Sequence, residues 1–291
     1  MRKLIFIAFV CFAYITSAQT TDIGRVEYMN MPNSNGNTIN RYRVLAQMPF
    51  AINKEEKEYI VFGMEYRYLD LSFQDNLPFS TADISSTQRM EASLGYTFNI
   101  KEHWRLAFRA GARIESNLNS KLVSDDFIYI GDAYIIHDMT KAKEAKKPYR
   151  WIFGLAYTTT PGRNYPLPLI NYYREFAPKW TYTLGVPKTN IRYKFDKKNH
   201  LQAFVTLDNF FANIQQNKMV NGKLAENISM TAVIGGLGYE HYFKDHFLFY
   251  LYGGYTIYKD YRLRDNQRND VYTIDDNGTF YVRTGLKLKV F

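Results

Sequence analysis

The chain has 291 residues, a formal charge of +9, an isoelectric point near 9.3, a mean hydropathy of −0.37 and one cysteine. That length suits one large barrel or sandwich, and past the N-terminal stretch no segment approaches the roughly 20 apolar residues that a spanning helix needs. Aromatics reach 17%, with Tyr 25 and Phe 21, as in strands and the interfacial girdles of membrane barrels, and the basic residues are spread along the chain, which argues against nucleic acid as a partner.

Arg2 and Lys3 precede an apolar run from Leu4 to Ile15, and Thr16, Ser17 and Ala18 supply small residues at cleavage spacing. A secretory signal peptide is expected over residues 1–18, with one barrel domain over 19–291. Cys11 sits inside the apolar run and reads as an ordinary small hydrophobe. The mature chain is therefore expected to lack cysteine, which excludes disulfides and thiolate chemistry.

After that point the chain alternates. Over 41–50, Tyr42, Val44, Ala46, Met48 and Phe50 oppose Arg41, Arg43, Leu45 and Gln47. Over 59–70, Ile60, Phe62, Met64, Tyr66 and Tyr68 oppose Gly63, Glu65 and Arg67; over 89–100, Met90, Ala92, Leu94, Tyr96, Phe98 and Ile100 oppose Arg89, Glu91, Ser93, Gly95 and Thr97. Over 104–115 one side is purely apolar (Trp104, Leu106, Phe108, Ala110, Ala112, Ile114) and the other carries Arg105, Arg109, Arg113 and Glu115. At the C-terminus Phe280, Val282, Leu286, Leu288 and Val290 oppose Tyr281, Arg283, Gly285, Lys287 and Lys289. Successive strand side chains point to opposite faces, so period two means strands, of about the ten residues a tilted strand needs to cross a bilayer.

A soluble sandwich alternates as well, and the connections separate the two cases. Short turns resemble one another: residues 96–104, 193–201 and 242–247, with weaker copies at 50–59 and 176–180, each lead from aromatics through a Lys-bearing tip to an apolar residue. Longer polar connections fall between them, near 32–38, 72–86, 117–123, 161–168, 215–227 and 259–278, while 141–147 reads as a solvated connector. Short turns on one rim and long loops on the other are the plan of an outer-membrane barrel. The fold class expected is all-β, an antiparallel transmembrane up-and-down β-barrel. Strands begin near Ile23, Ile39, Tyr59, Thr87, Trp104, Asp125, Tyr149, Leu169, Trp180, Thr189, Leu201, Ile228, Phe247 and Gly278; that is about fourteen, with about twelve as the alternative. Phe291 ends the chain as the aromatic assembly signal of such barrels, although it shares the parity of Lys287 and Lys289.

Gly154, Leu155, Ala156 and Tyr157, then Pro166 and Pro168, then the stretch from Trp180 to Pro187, then Ile191, Arg192 and Tyr193, resemble a family of outer-membrane β-barrels common in Bacteroidota, domain of unknown function 6268. The resemblance covers most of the mature chain, implies the barrel fold and an outer-membrane location, and brings no activity with it.

Chemistry-bearing patterns are sparse. A membrane-edge lipid hydrolase would need Ser, His and Asn or an acid to meet. Of the five histidines, His103, His200 and His246 sit in the short turns, and His137 and His241 near strand ends without an evident serine. Asp125 with Asp126, and Asp275 with Asp276, lack calcium-loop spacing, and no phosphate-cradling Gly-rich loop occurs. No enzyme, cofactor or metal is expected; the partners expected are outer-membrane lipid, the barrel-assembly machinery and an unnamed solute.

With the apolar faces on lipid, Arg41, Arg43, Glu65, Arg67, Arg89, Glu91, Arg105, Arg109, Arg113, Glu115, Arg192, Lys194, Arg283, Lys287 and Lys289 face the lumen. The reverse orientation would cost about 2–4 kcal/mol per charge at mid-bilayer. Two functions fit: a passive pore whose basic lining favours anionic solutes, the preferred reading because the basic excess leaves arginines unpaired, and a closed structural or ligand-binding barrel filled by Arg–Glu ladders.

Overall fold

A computed structural model describes residues 22–34, 36–53, 57–74 and 77–289; the expected signal segment 1–18 and the terminal Phe291 lie outside them. The strands are β1 (Asp22–Ser34), β2 (Asn37–Ala51), β3 (Glu58–Ser72), β4 (Ser86–Lys101), β5 (Trp104–Ser116), β6 (Phe127–Asp138), β7 (Tyr149–Thr158), β8 (Leu167–Ala177), β9 (Trp180–Gly185), β10 (Lys188–Lys194), β11 (Asn199–Val220), β12 (Lys223–Lys244), β13 (Phe247–Arg264), β14 (Asp270–Asp275) and β15 (Phe280–Lys289). Each pairs antiparallel with the next as far as β13, and β15 pairs with both β13 and β1. Among the described residues this closes a 14-strand barrel, with β14 attached to the outer part of β13. Closure removes every sheet edge from the wall, as a structure in hydrocarbon requires.

The two faces separate as the alternation demands. Tyr42 is 51% exposed and Val44 49%, whereas Arg41 and Arg43, between and beside them, are 4% and 5% exposed. Leu94, Phe108, Leu155 and Leu237 continue the outward apolar surface around the wall. Near the end that carries the termini, aromatic rings run from strand to strand: Trp151 lies 4.1 Å from Tyr172, Tyr172 5.9 Å from Tyr182, and Trp180 4.8 Å from Tyr193. Such a belt fits a membrane–water interface. In the β10–β11 turn, the Asn199 side-chain amide and the backbone N–H groups of Lys198 and Asn199 hold the Asp196 carboxyl below its ordinary range and pin the tip.

Three connections differ from the sequence reading. The 32–38 segment is no long connection, because β1 runs to Ser34 and β2 starts at Asn37. Residues 215–227 continue β11 and β12 around a tight turn in which Asn221 and Gly222 both have positive φ, the geometry of a two-residue hairpin loop. Residues 259–278 carry the end of β13 and all of β14. Their charges look like loop composition but pair along β13 and across to β14: Asp260 accepts from Arg264 at 2.7 Å, and Asp270 of β14 lies 2.8 Å from Arg264. The 141–147 segment is the connector expected, and Lys147 donates to the Phe176 carbonyl at 2.6 Å.

The long strands leave the wall. β10 stays paired with β11 only as far as Thr206, opposite Lys188. Beyond it alternation stops, and Phe210, Phe211, Ala212, Asn213 and Ile214 are all buried, as are residues 227–234 of β12. A strand buried on both faces has protein on both sides. Here Phe210, Ala212, Ile214, Ile228 and Met230 belong to one core with Met29, Met31, Ile39, Leu69 and Leu71 of β1 to β3, while Phe211 packs on Ile128 and Ile130 of β6. Within this buried run Asn213 forms a parallel bridge with Ser116 of β5. The outer β11–β12 hairpin is thus a chord across the lumen. Its bend is marked by a register shift between Val233 and Ile234 and by Gly236 opposite Gly254; a Cβ on Gly236 would lie 2.2 Å from the Gly253 carbonyl oxygen.

The termini share one rim with the β2–β3, β4–β5, β8–β9, β10–β11 and β12–β13 turns and the 139–148 connector, and the 73–85, 117–126 and 159–166 connections lie on the other. An epitope tag inserted after Asn164, in the exposed β7–β8 connection, is expected to be detected on intact cells. A tag at Lys197 is expected only after permeabilisation, and the opposite pattern would invert the orientation.

Candidate functional site

Charges are concentrated on the interior face of β1 to β6. Cα register places Glu27, Arg43, Arg67, Arg89 and Glu115 in one row across five strands, and Arg25, Leu45, Glu65, Glu91 and Arg113 in the next. Three arginines side by side would repel. The adjacent row relieves this, because Glu65 lies between Arg43, at 2.5 Å, and Arg67, which it also contacts. Arg89 Nε donates to Glu115 at 2.7 Å, and Arg113 Nε lies 2.8 Å from the same carboxylate. Arg109 bonds Asp132 at 2.5 Å and lies 3.4 Å from Glu91.

One pair spans the lumen. Asp208, on the chord strand β11, accepts from Arg41 of β2 at 2.9 Å and from the Tyr281 hydroxyl at 3.0 Å. Arg41 also lies 3.4 Å from Glu27, whose other oxygen accepts from the Tyr250 hydroxyl at 2.7 Å. The chord is anchored again at the opposite wall. Buried Asp126 accepts from Asn213 at 2.8 Å, from Gln215 at 2.7 Å and from the Val123 backbone at 2.9 Å.

The expected lumen charges do not form one set. Arg41, Arg43, Glu65, Arg67, Arg89, Glu91, Arg109, Arg113 and Glu115 join the network just described. Arg105 does not: it lies near the short-turn rim, donating to Asn99 at 2.9 Å with its guanidinium 5.7 Å from the Tyr59 ring. Arg192 pairs with Glu240 at 3.4 Å and Lys194 with Glu175 at 2.7 Å. Arg283 and Lys287 stand 3.9 Å from Glu27 and Asp22, and Lys289 donates to the Tyr242 hydroxyl at 3.2 Å. Sequence reasoning missed Asp22, Arg25, Glu27, Asp132, Asp208 and Glu240. Arg25 and Glu27 flank outward Val26 and were readable as alternation; Asp208 lies where alternation ends and carried no such signal.

Several of the remaining acids and histidines make local contacts. Asp275 pairs with Lys259 at 2.5 Å in the interior. His103 lies 2.8 Å from Glu144 between two turns, His137 stacks on Trp104 at 4.4 Å, and His241 lies 2.9 Å from Asn199. Among the described residues no group of three or more His, Cys, Asp or Glu gathers as metal ligands.

Asp208→Asn leaves buried Arg41 with its more distant carboxylate, Glu27, as its only charged partner, and breaking a buried pair typically costs about 3–5 kcal/mol. We expect a loss near the lower end in urea unfolding of the detergent-refolded protein. Glu175→Gln, at a half-exposed rim pair, should cost under about 1 kcal/mol. Equal small losses would mean that the lumen-spanning pair is not structural.

The family described as Domain of unknown function (DUF6268) matches residues 10–289. No curated protein matches the chain. Among solved structures, an outer-membrane channel from Pseudomonas putida F1 aligns with a TM-score of 0.47 and 9% identity, covering 94% of this chain and 100% of that one. The NanC porin aligns at 0.42 and 9%, covering 92% and 100%. Outer-membrane phospholipase A from Escherichia coli aligns at 0.30 and 9%, covering 96% of each chain.

Proposed function

The chain belongs to the family Domain of unknown function (DUF6268) and forms a barrel of the bacterial outer membrane, and from this premise we propose that it works with its lumen closed, as a binding or structural barrel and not as an open diffusion pore. The observation that carries this reading is the β11–β12 chord. Its two faces pack against opposite inner walls, and its ends are fixed at Asp208–Arg41 and at Asp126. Beside it, among Arg89, Arg109, Arg113 and Phe211, remains a cavity of about 70 Å³. Two of the three arginines in the column that would line an anion-selective pore, Arg109 and Arg113, are engaged with carboxylates. Apolar burial of the chord against β1 to β3 also argues for a permanent element, since each fully buried Phe, Ile or Met side chain contributes about 1.5–3 kcal/mol.

Planar-bilayer recording tests this. The wild-type protein is expected to give no steady ohmic channels. Asp208 and Ala232 are Cα partners, so replacing residues 209–231 with an Asn-Gly turn removes the chord and keeps the register below it. That variant should conduct, with anion preference from the remaining basic lining. Steady anion-selective conductance of the wild type would overturn the closed reading in favour of the basic pore.

A further inference from the structure

Beneath the chord, toward the end that carries the termini, lies a second cavity of about 180 Å³, lined by seven basic side chains and a single carboxylate, Asp208. The arrangement is asymmetric. Arg25 is bonded to Asp22 and Arg43 to Glu65, yet neither carboxylate lines the cavity, so the acids stand in the wall behind the arginines. Arg41 Nε and Arg43 Nε are buried with no hydrogen-bond acceptor among the described residues, and Arg283 Nε likewise lacks one. These Nε atoms are themselves closed off, so the donors that the chamber offers are the other N–H groups of the side chains that line it.

Lys188, Arg283 and Lys287 are only loosely neutralised. Lys188 rests on the faces of Phe204, at 4.8 Å, and Tyr252, at 4.3 Å, with no carboxylate partner among the described residues. Arg283 lies 3.9 Å from Glu27 and Lys287 3.9 Å from Asp22, beyond hydrogen-bonding distance. The Tyr252 hydroxyl is already donated to Glu240 at 2.5 Å. The chamber therefore presents many N–H donors to a small volume and almost no competing acceptor. A compact anion with several oxygens and more than one charge matches that set, because guanidinium groups bind phosphate through paired, charge-assisted hydrogen bonds.

We propose that this chamber binds a phosphate group, as inorganic phosphate or a small phosphomonoester. The site rests on the closed reading in one respect, since Thr206, Leu207 and Asp208 of the crossing strand roof it. The chamber lies toward the aqueous rim: Arg25 and Lys287 face each other in the register whose end pair is Asp22 and Lys289. Soluble phosphate is thus favoured over a lipid phosphate, which would have to leave the outer apolar face.

The test is titration calorimetry on the full mature chain, refolded in an uncharged detergent at low ionic strength, where charge interactions are least screened. Inorganic phosphate is the probe, with acetate as comparator and short-chain phosphatidic acid as the lipid arm. Inorganic phosphate should bind saturably at one site and raise the unfolding temperature, as ligand linkage requires, while acetate should do neither. The double variant Lys188→Gln with Lys287→Gln should lose about tenfold or more in affinity, a difference of the size one or two charge-assisted contacts supply. Arg105→Gln, outside the chamber, should bind as wild type, and boiled-versus-unboiled gel mobility checks that each variant is folded. Saturable binding of phosphatidic acid alone would keep the phosphate site and change its source. No saturable heat and no thermal shift with either probe, or unchanged affinity in the folded double variant, would overturn the proposal. A wild type that conducts but still binds phosphate would sink the closed reading and leave this site standing.

Discussion

Backbone amide and carbonyl groups in hydrocarbon have no water to bond, and each one left unpaired costs several kcal/mol. The closed ring from β1 to β13 and back through β15 answers that constraint, and the rest of the structure follows from it. A closed sheet has two faces, one on lipid. Charges on that face would cost about 2–4 kcal/mol each at mid-bilayer, so the charged positions of every alternating strand must point inward. Tyr42, Val44, Met64 and Tyr66 outside, with Arg41, Arg43, Glu65 and Arg67 inside, are the direct result.

Turning the charges inward creates a second problem, because buried ions need partners. The interior meets it in two ways. Along the wall, acids of one row fall between arginines of the next, as Glu65 does between Arg43 and Arg67. Across the lumen, β11 carries Asp208 to Arg41 and ends against Asp126 and Ser116. The chord makes the upper lumen a packed apolar core and leaves the cationic chamber below it, roofed by the same strand. Closure of the barrel, neutralisation of its interior and formation of the chamber are in this sense consequences of one another.

The wall was legible in the sequence to within a few residues. Trp104 to Glu115 shows why: six apolar side chains alternate with charged or small ones, a period of two that only a strand with one apolar face produces. Most of the charged site was readable for the same reason, since inward residues are fixed by parity. What escaped was whatever parity does not govern. Phe210 to Ile214 is buried on both faces, so its pattern is lost, and the polar residues around Asn221 imitate a surface loop. The arginine column of 105, 109 and 113 is broken in the structure because pairing depends on neighbours that only the register reveals: Asp132 lies opposite Arg109, whereas Arg105 has Ile136 opposite it and Asn99 as its partner. The surplus of basic residues was visible as a number, but its collection into one chamber with Lys188 needed the fold.

The central claim is that β11 crosses the lumen to β5, and a cross-link tests it most directly. Asn213 and Ser116 are Cα partners in the parallel bridge, within the roughly 4.4–6.8 Å that a disulfide spans, and the only cysteine of the sequence is Cys11. With cysteines at both positions, mild oxidation of isolated outer membranes should form an intramolecular disulfide, seen as a reducible shift on a denaturing gel. A pair at Asn213 and Thr97, which lies far down β4 from Gln88 opposite Ala107, should not cross-link. Absence of the 213–116 bond, under conditions in which the neighbouring wall pair Gln88 and Ser116 does cross-link, would place the hairpin outside the lumen and contradict the account.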